Sequence, residues 1–344
     1  MGRTVVTGSI ATDHLMRFPG RFVEQLLPDQ LHRVSLSFLV DDLVIRRGGV
    51  AANIAFGMTQ LGERPILVGA VGKDFADHRS WLEDRGVDCS HLWVSQQAHT
   101  ARFVCTTDED LCQIASFYPG AMTEARKISL ASVLRQVEDL DLVLIGADDP
   151  LVMLRHAAQC RTNGVPFAAD PSQQLARMSG DQVVEFIRGA NYLLTNEYEH
   201  GLLLAKTGCT AEDIERSVEV VVTTLGERGV RITRRDHDPI HVPAAKVQAL
   251  SEPTGVGDAF RAGFFIGISR GMSLEEAGRV GCQLAVLALE TVGTQEYNTD
   301  ASMFCHRLSV SYGEAAAVRM WSSWPGFGRT GPDRPAGMVI ELRS

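Results

Sequence analysis

The sequence predicts an α/β protein: a mostly parallel central sheet covered by helices, with a small β-rich lid beside it. Short β-branched or apolar runs alternate with longer helical patterns, which is the signature of strands joined by crossover helices. Two other segments carry strand-like sequence with no helix to follow, and such strands do not easily join a parallel sheet. With 344 residues, 45% hydrophobic and 22% charged, the chain can bury a core of one large domain with an appendage, or of two domains.

The apolar runs are TVVTGSI (residues 4–10), PILVGAVG (65–72), DLVLIGA (141–147), VPFAAD (165–170), NYLLTN (191–196) and VEVVVTTLG (218–226). Helical periodicity falls between them at 50–61, 78–85, 130–137, 151–161 and 198–206. An antiparallel edge is expected over 230–242, then three helical stretches over about 256–319. The interrupting segments are SLSFLVDDLVIR (35–46) and residues 100–117, a hairpin whose polar turn is Asp108–Asp110. They define lid segments at about 12–47 and 99–118 within a domain spanning 1–318. Residues 319–344, rich in Gly, Pro and Arg and without periodicity, are expected to be a mobile tail.

Charge and cysteines narrow the function classes. Forty-two acidic against 33 basic residues leave a net charge of −9, which opposes nonspecific binding to nucleic acid or to an anionic membrane. The seven cysteines are odd in number and contain no CxxC, which suggests neither a disulfide framework nor a zinc site but reduced thiols in a cytoplasm. The first residues are too poor in apolar side chains for a signal sequence, and no apolar run reaches membrane-spanning length.

EPTGVGDAFRAGFFIG (252–267) is the sharpest motif. Its glycines permit a tight turn into a helix, so the amides of Gly255, Val256 and Gly257 would converge on one spot. Unpaired first-turn donors and the helix dipole suit an anion, and Asp258 adds a carboxylate beside it. An anion hole next to a proton acceptor suggests phosphoryl transfer to a hydroxyl. The same residues also read as a plain turn with Asp258 as a helix cap. RRGGVAANIAFGMTQLG (46–62) is the second motif: Gly48 and Gly49 permit close approach of a ligand, and Asn53 lies one turn into a helix with Ala51, Ala52 and Ala55. Close packing of that helix explains the small residues equally well, and neither GxxxxGK[ST] nor GxGxxG is present.

These two segments, in this order and separation, resemble the paired signatures of the PfkB, or ribokinase-like, carbohydrate kinase family. VTGSIATDHLMRFPG, SFLVDDL, HTARF, QIASFYPGAM, AADPSQQLAR and EPTGVGDAFRAGF further resemble bacterial adenosine kinases of the actinobacterial type. The resemblance covers about residues 4–318 and implies a ribokinase-like three-layer fold with ATP-dependent phosphorylation of the adenosine 5′-hydroxyl, giving AMP and ADP in purine salvage. A ribokinase or another sugar or nucleoside kinase is the alternative within the fold; a noncatalytic nucleoside sensor is the alternative from another class.

The resemblance also implies roles. Asp258 matches the catalytic base, and Gly255, Val256 and Gly257 match the anion hole. Asp13 matches the carboxylate that binds the ribose diol, with Gly49 and Asn53 as further ribose contacts and Ser9 and Ser37 completing the pocket. Phe103 and Phe117 match aromatics that hold adenine between π faces, and Arg177 a basic residue near the phosphates. Asn196 and Glu199 match an NxxE motif that organises phosphate and magnesium, the metal through water; Thr224 and Gly226 match the turn that contacts ATP. The family usually has Asp at the position of Glu252, and the longer side chain bears on activation by potassium. Free strand edges on the lid make a homodimer one candidate assembly and a monomer the other.

Overall fold

The computed structural model describes residues 3–25, 33 and 35–324. In chain order the strands are β1 (Arg3–Thr7), β2 (Ala11–Arg17), β3 (Asp42–Gly48), β4 (Ile66–Val68), β5 (Ala70–Gly72), β6 (Trp93–Ser95), β7 (Ala101–Thr107), β8 (Gln113–Tyr118), β9 (Leu140–Ile145), β10 (Phe167–Ala169), β11 (Tyr192–Asn196), β12 (Val220–Thr224), β13 (Val230–Thr233) and β14 (Ile240–Val242). The helices are α1 (Phe22–Gln25), α2 (Val50–Gln60), α3 (Ala76–Asp84), α4 (Leu130–Gln136), α5 (Pro150–Asn163), α6 (Gly180–Ile187), α7 (Glu197–Thr207), α8 (Ala211–Ser217), α9 (Val256–Ser269), α10 (Leu274–Leu289), α11 (Ala301–Tyr312) and α12 (Glu314–Ser323).

Eight strands form the central sheet in the order β14-β13-β12-β11-β10-β9-β1-β4, parallel from β12 to β4 with β13 and β14 antiparallel at one edge. Both faces are covered, so alternate residues of one strand enter opposite cores. Val6, Leu144 and Val222 pack with α2, α9 and α10, while Val5, Val143 and Val221 pack with α5, α6 and α7. That double burial is why the strands read as unbroken apolar runs rather than as alternating ones. After β1 the chain leaves toward β4 on one side, whereas β9 to β12 step away on the other. The order therefore reverses between β1 and β9, and a crevice opens at the carboxyl ends of these strands.

A second sheet, ordered β3-β2-β7-β8, stands over that crevice. It is the β-rich appendage expected from the two interrupting segments. Strand 35–46, however, is shorter and displaced: only Asp42–Gly48 is extended, paired with β2 from Ala11↔Gly48 to Arg17↔Asp42. The reason is the length of the partner, since β2 is used up at Arg17, and Phe38 instead packs on Phe18 and Phe22 with centroids 5.1 and 5.0 Å apart.

Other expectations are corrected as well. The run 65–72 divides at Gly69 into β4 in the main sheet and β5, which pairs with β6. A Cβ on Gly69 would come within 2.9 Å of the Gly8 carbonyl oxygen, so a glycine is needed where the chain crosses β1. Helices α6 and α8 lie outside the helical stretches read from periodicity; both are short and start with capping boxes, Ser179 with Gln182 and Thr210 with Asp213. The carboxyl-terminal part holds α9 to α12 rather than three helices, and residues 319–323 belong to α12 with Met320 buried, not to a mobile tail. Residues 325–344 lie outside the described residues. Among the described residues no helix is long and apolar enough to cross a membrane.

Candidate active site

Two helix starts meet at the crevice. Gly49 precedes α2 with φ 96°, and a Cβ there would lie 2.6 Å from the Ile10 Cα and the Ala11 nitrogen, so no other residue fits without moving β-strand backbone. Ser9, just beyond β1, accepts from the Val50 amide through Oγ at 3.2 Å and ties the same turn down. Gly255 precedes α9 in the left-handed conformation with φ 78°, and a Cβ there would stand 2.8 Å from the Thr294 Cγ2. The Val256 amide is 3.4 Å from the Pro253 carbonyl, while those of Gly255 and Gly257 have no hydrogen-bond partner among the described residues. Those two amides are therefore open to an anion at the positive end of α9, while that of Val256 is engaged in a long turn contact.

Asp258 sits in that first turn but makes no capping bond; its Oδ2 accepts from Asn53 Nδ2 at 2.8 Å. Burial pushes its carboxyl up to about 7, against the pull of the Arg261 guanidinium and the Asn53 bond, with Asp170 and Glu199 adding to the rise. Arg261 is itself buried against Asp170, Nη2 donating to Oδ1 at 2.7 Å, and its Nη1 donates to the Gly257 carbonyl at 3.0 Å. The pair thus fixes the first turn of α9 from behind.

A cleft of about 540 Å³ lies above these groups, between the main domain and the small sheet. Ser9, Asp13, Gly49, Asn53, Phe103, Phe117, Arg177, Gly255 and Asp258 all line it, so residues from six separate stretches of sequence converge. Asp13, Phe103 and Phe117 are cross-strand partners on β2, β7 and β8 and form one row on the cleft-facing side of the small sheet. Burial, with Glu252 adding, pushes the Asp13 carboxyl up to about 6. Arg177 is exposed on the rim and makes no ion pair among the described residues. Ser37 is not brought to the cleft: it lies exposed in the irregular segment before β3, a consequence of the shorter strand.

The remaining expected residues gather next to the cleft. Asn196 and Thr224 are register partners at the carboxyl ends of β11 and β12, with Gly226 in the turn that follows. Asn196 and Glu199 form a reciprocal cap of α7: Asn196 Oδ1 accepts from the Glu199 amide at 2.7 Å, and Glu199 Oε2 from the Asn196 amide at 2.8 Å. Burial raises the Glu199 carboxyl, opposed by that Asn196 bond and by Arg261, which places Glu199 within the charge cluster of Asp258. Glu252 spans to the 291–297 loop, its Oε2 accepting from the Gly293 amide at 3.0 Å.

Met122, Gln173, Gln174 and Thr254 also line the cleft and were not singled out in the sequence. They belong to QIASFYPGAM, AADPSQQLAR and EPTGVGDAF, segments that carry the family resemblance, but the individual side chains carry no spacing signal. Gln174 is 6% exposed, and its carboxamide oxygen has no hydrogen-bond partner among the described residues.

A model of the pfkB family of carbohydrate kinases matches residues 7–301. The chain belongs to this family. Within the pfkB family it is 31% identical over 270 residues to a nucleoside kinase of Methanothermobacter thermautotrophicus, covering 77% of this chain and 85% of that protein. It is 26% identical over 309 residues to a ribokinase of Haemophilus influenzae, covering 84% and 93%. Among solved structures, the Burkholderia thailandensis nucleoside kinase in complex with inosine superimposes with a TM-score of 0.79 at 32% identity, covering 90% of this chain and 98% of that one. The same enzyme has been solved in complex with ADP-inosine, with a TM-score of 0.77 at 33% identity. The chain is therefore a pfkB nucleoside or sugar kinase, a phosphotransferase acting on a hydroxyl group.

Proposed function

We propose that this protein is an adenosine kinase, transferring the γ-phosphoryl group of ATP to the adenosine 5′-hydroxyl to give AMP and ADP. The observation that carries this reading is the Asp258 carboxylate on the cleft floor, beside two open helix-start amides and across from the Asp13 carboxylate. Asp13 accepts from both hydroxyls of the ribose diol, a contact a deoxyribose cannot repeat. Phe103 and Phe117 give the base an apolar stacking surface, worth about 1–3 kcal/mol per stack. This combination favours a nucleoside over a free sugar, and the likeness to nucleoside kinases points the same way.

In the reaction, the 5′-oxygen attacks the γ-phosphorus as its proton passes to Asp258, and the bond from that phosphorus to the leaving ADP oxygen breaks. The amides of Gly255 and Gly257 face the negative charge on the transferring group, aided by the α9 dipole. Arg177 lies on the rim where it can meet phosphate. Asn196, Thr224 and Gly226 provide the ATP side of the site.

Magnesium bound to the nucleotide would supply charge neutralisation across the phosphates. The residues present fit it: Glu199 offers a hard carboxylate oxygen not used in its cap, suited to a metal-bound water. Glu199 is the residue that would hold the ion in this way.

One observation favours a broader substrate range. A carboxamide can turn over to meet either a 6-amino or a 6-oxo purine edge, Gln173 and Gln174 line the cleft, and the similar Burkholderia enzyme binds inosine. The deciding measurement is steady-state ADP formation with adenosine, inosine, guanosine and ribose, each with magnesium and with potassium or sodium as the monovalent ion. The expected result is the highest kcat/KM for adenosine, with little gain from potassium because Glu252 already bridges to the 291–297 loop. Preference for ribose would reject the nucleoside reading, and preference for inosine would move the base specificity while leaving the kinase intact.

A further inference from the structure

A chain of buried side-chain hydrogen bonds runs from α3 to Asp258, and its direction is set at the far end. His78 on α3 is buried, with Nε2 3.0 Å from Gln295 Oε1 and Nδ1 without a partner among the described residues. Burial pushes His78 down to about 4, and Arg47 adds to that against the Gln295 bond, so the ring is neutral at physiological pH and carries one proton. That proton belongs on Nε2, where an acceptor is in place; on Nδ1 it would be a buried donor with nothing to bond, which folded proteins avoid.

With Nε2 as donor, Gln295 must turn its oxygen to His78 and its nitrogen to Asn53, where Nε2 lies 2.9 Å from Oδ1. Asn53 then faces Gln295 with its oxygen and has only its NH2 left for Asp258 Oδ2, at 2.8 Å. Thr294 does not settle the matter by itself, because its hydroxyl lies 2.9 Å from both Asn53 Oδ1 and the Arg47 carbonyl and has one proton to share. Gln295 is 1% exposed, so with the His78 proton on Nε2 the order His78 to Gln295 to Asn53 to Asp258 gives each of these links a donor and an acceptor.

We infer that Gln295, held by the His78 tautomer, is a positioning residue that fixes the Asn53 amide with its NH2 toward Asp258. It touches neither nucleoside nor phosphate and acts through Asn53. The inference rests on the proposed role of Asp258 as proton acceptor. The charged and titratable groups around that carboxylate are Arg261 on α9, Asp170 after β10, Glu199 on α7 and Tyr297 in the 291–297 loop; Gln295→Met leaves this set unchanged, whereas Gln295→Glu adds a carboxyl group to it.

Two variants test this, Gln295→Glu, which is equal in size, and Gln295→Met, which is uncharged. The introduced carboxylate accepts from His78 and turns its second oxygen on Asn53 Oδ1, so the Asn53 amide reverses and presents oxygen to Asp258. Losing a hydrogen bond to a charged group should raise the Asp258 pKa by about one unit or more, seen as its carboxyl ¹³C titration assigned with Asp258→Asn. Nucleoside-dependent turnover near pH 7 should fall about tenfold or more, while nucleoside affinity by calorimetry changes by a smaller factor. Gln295→Met, which removes the donor without forcing reversal and adds no charge, should move both readings in the same direction by less, and it decides the matter because a new carboxylate would by itself raise the Asp258 pKa. An Asp258 titration that stays at the wild-type value in a folded variant overturns the inference. The titration needs no substrate, so a wild-type protein that phosphorylates no nucleoside would defeat the proposed function separately.

Discussion

Asp258 combines two demands that oppose each other. A proton acceptor should be ionised yet basic, and burial supplies basicity at the expense of ionisation. With the carboxyl pushed up to about 7, the free enzyme at pH 6 holds the carboxylate in about a tenth of molecules, so kcat/KM should fall roughly tenfold per unit below that limb. A pH profile flat down to pH 5 would show that the carboxyl is not raised in this way. Asp258→Asn should lower turnover about a hundredfold or more with nucleoside affinity near normal. The same substitution has an expected stability effect. Because the folded pKa lies above the ordinary carboxylate value, ionisation opposes folding as pH rises from about 4 to 7. Thermal midpoints should therefore favour Asp258→Asn at pH 8 and converge with wild type near pH 4.

At the scale of elements, the bond between Asn53 and Asp258 depends on how closely α2 and α9 approach. Gly57, one turn beyond Asn53, faces Ala262, one turn beyond Asp258, and a Cβ on Gly57 would stand 2.7 Å from the Ala262 Cβ and 2.7 Å from the Tyr297 hydroxyl. No flexible side-chain end is available to give way at Ala262, so Gly57→Ala must separate the helices. Overpacking of this kind costs about 1–3 kcal/mol, and in a domain of this size a lowering of the thermal midpoint by several degrees is expected. Turnover should drop further than stability suggests, because the helices carry the two ends of a 2.8 Å hydrogen bond. Unchanged kcat in a destabilised Gly57→Ala protein would mean that this spacing does not set the site. The small residues in 46–62 thus answer to both readings of that motif: they pack a helix tightly, and the packing is what delivers Asn53.

Across the whole molecule, the small sheet is tied down at its base and open at its far edge. On the β7 side, Asp74 accepts from the Thr100 amide at 2.8 Å and from Arg102 at 2.8 Å. On the β3 side, Arg46 donates to the Val292 carbonyl at 3.0 Å, Arg47 pairs with Glu296 at 3.1 Å, and the Arg47 and Arg85 guanidinium groups both pack on the Trp81 ring. Strand β8 is exposed along its length, and Phe117 is 49% exposed above the cleft. Such anchoring leaves rotation about the base as the available motion, which would bring Phe103 and Phe117 down on a nucleoside and exclude water. Adenosine should slow amide hydrogen exchange over residues 101–118 relative to the free protein. Equal exchange with and without saturating adenosine would rule out closure.

Much of this was legible in the chain because it is local. The parallel strands are continuous apolar runs, since both of their faces are buried, and the glycines around Val256 announce a helix start that only small residues permit. The two segments without helices marked a second sheet for the same reason. Pairing decided the rest. Nothing in residues 35–41 says that β2 ends at Arg17 and leaves them without a strand partner, so the sequence puts Ser37 in a cleft it does not reach. Gln174, Gln295 and His78 follow no spacing rule, because their partners come from distant segments. The sequence by itself determined the fold class, the family and the acidic residue at the head of α9, all properties of short stretches read in order. Only the tertiary structure decided which side chains face the cleft and how Asp258 is held, because hydrogen-bond direction and burial arise between residues that the chain keeps far apart.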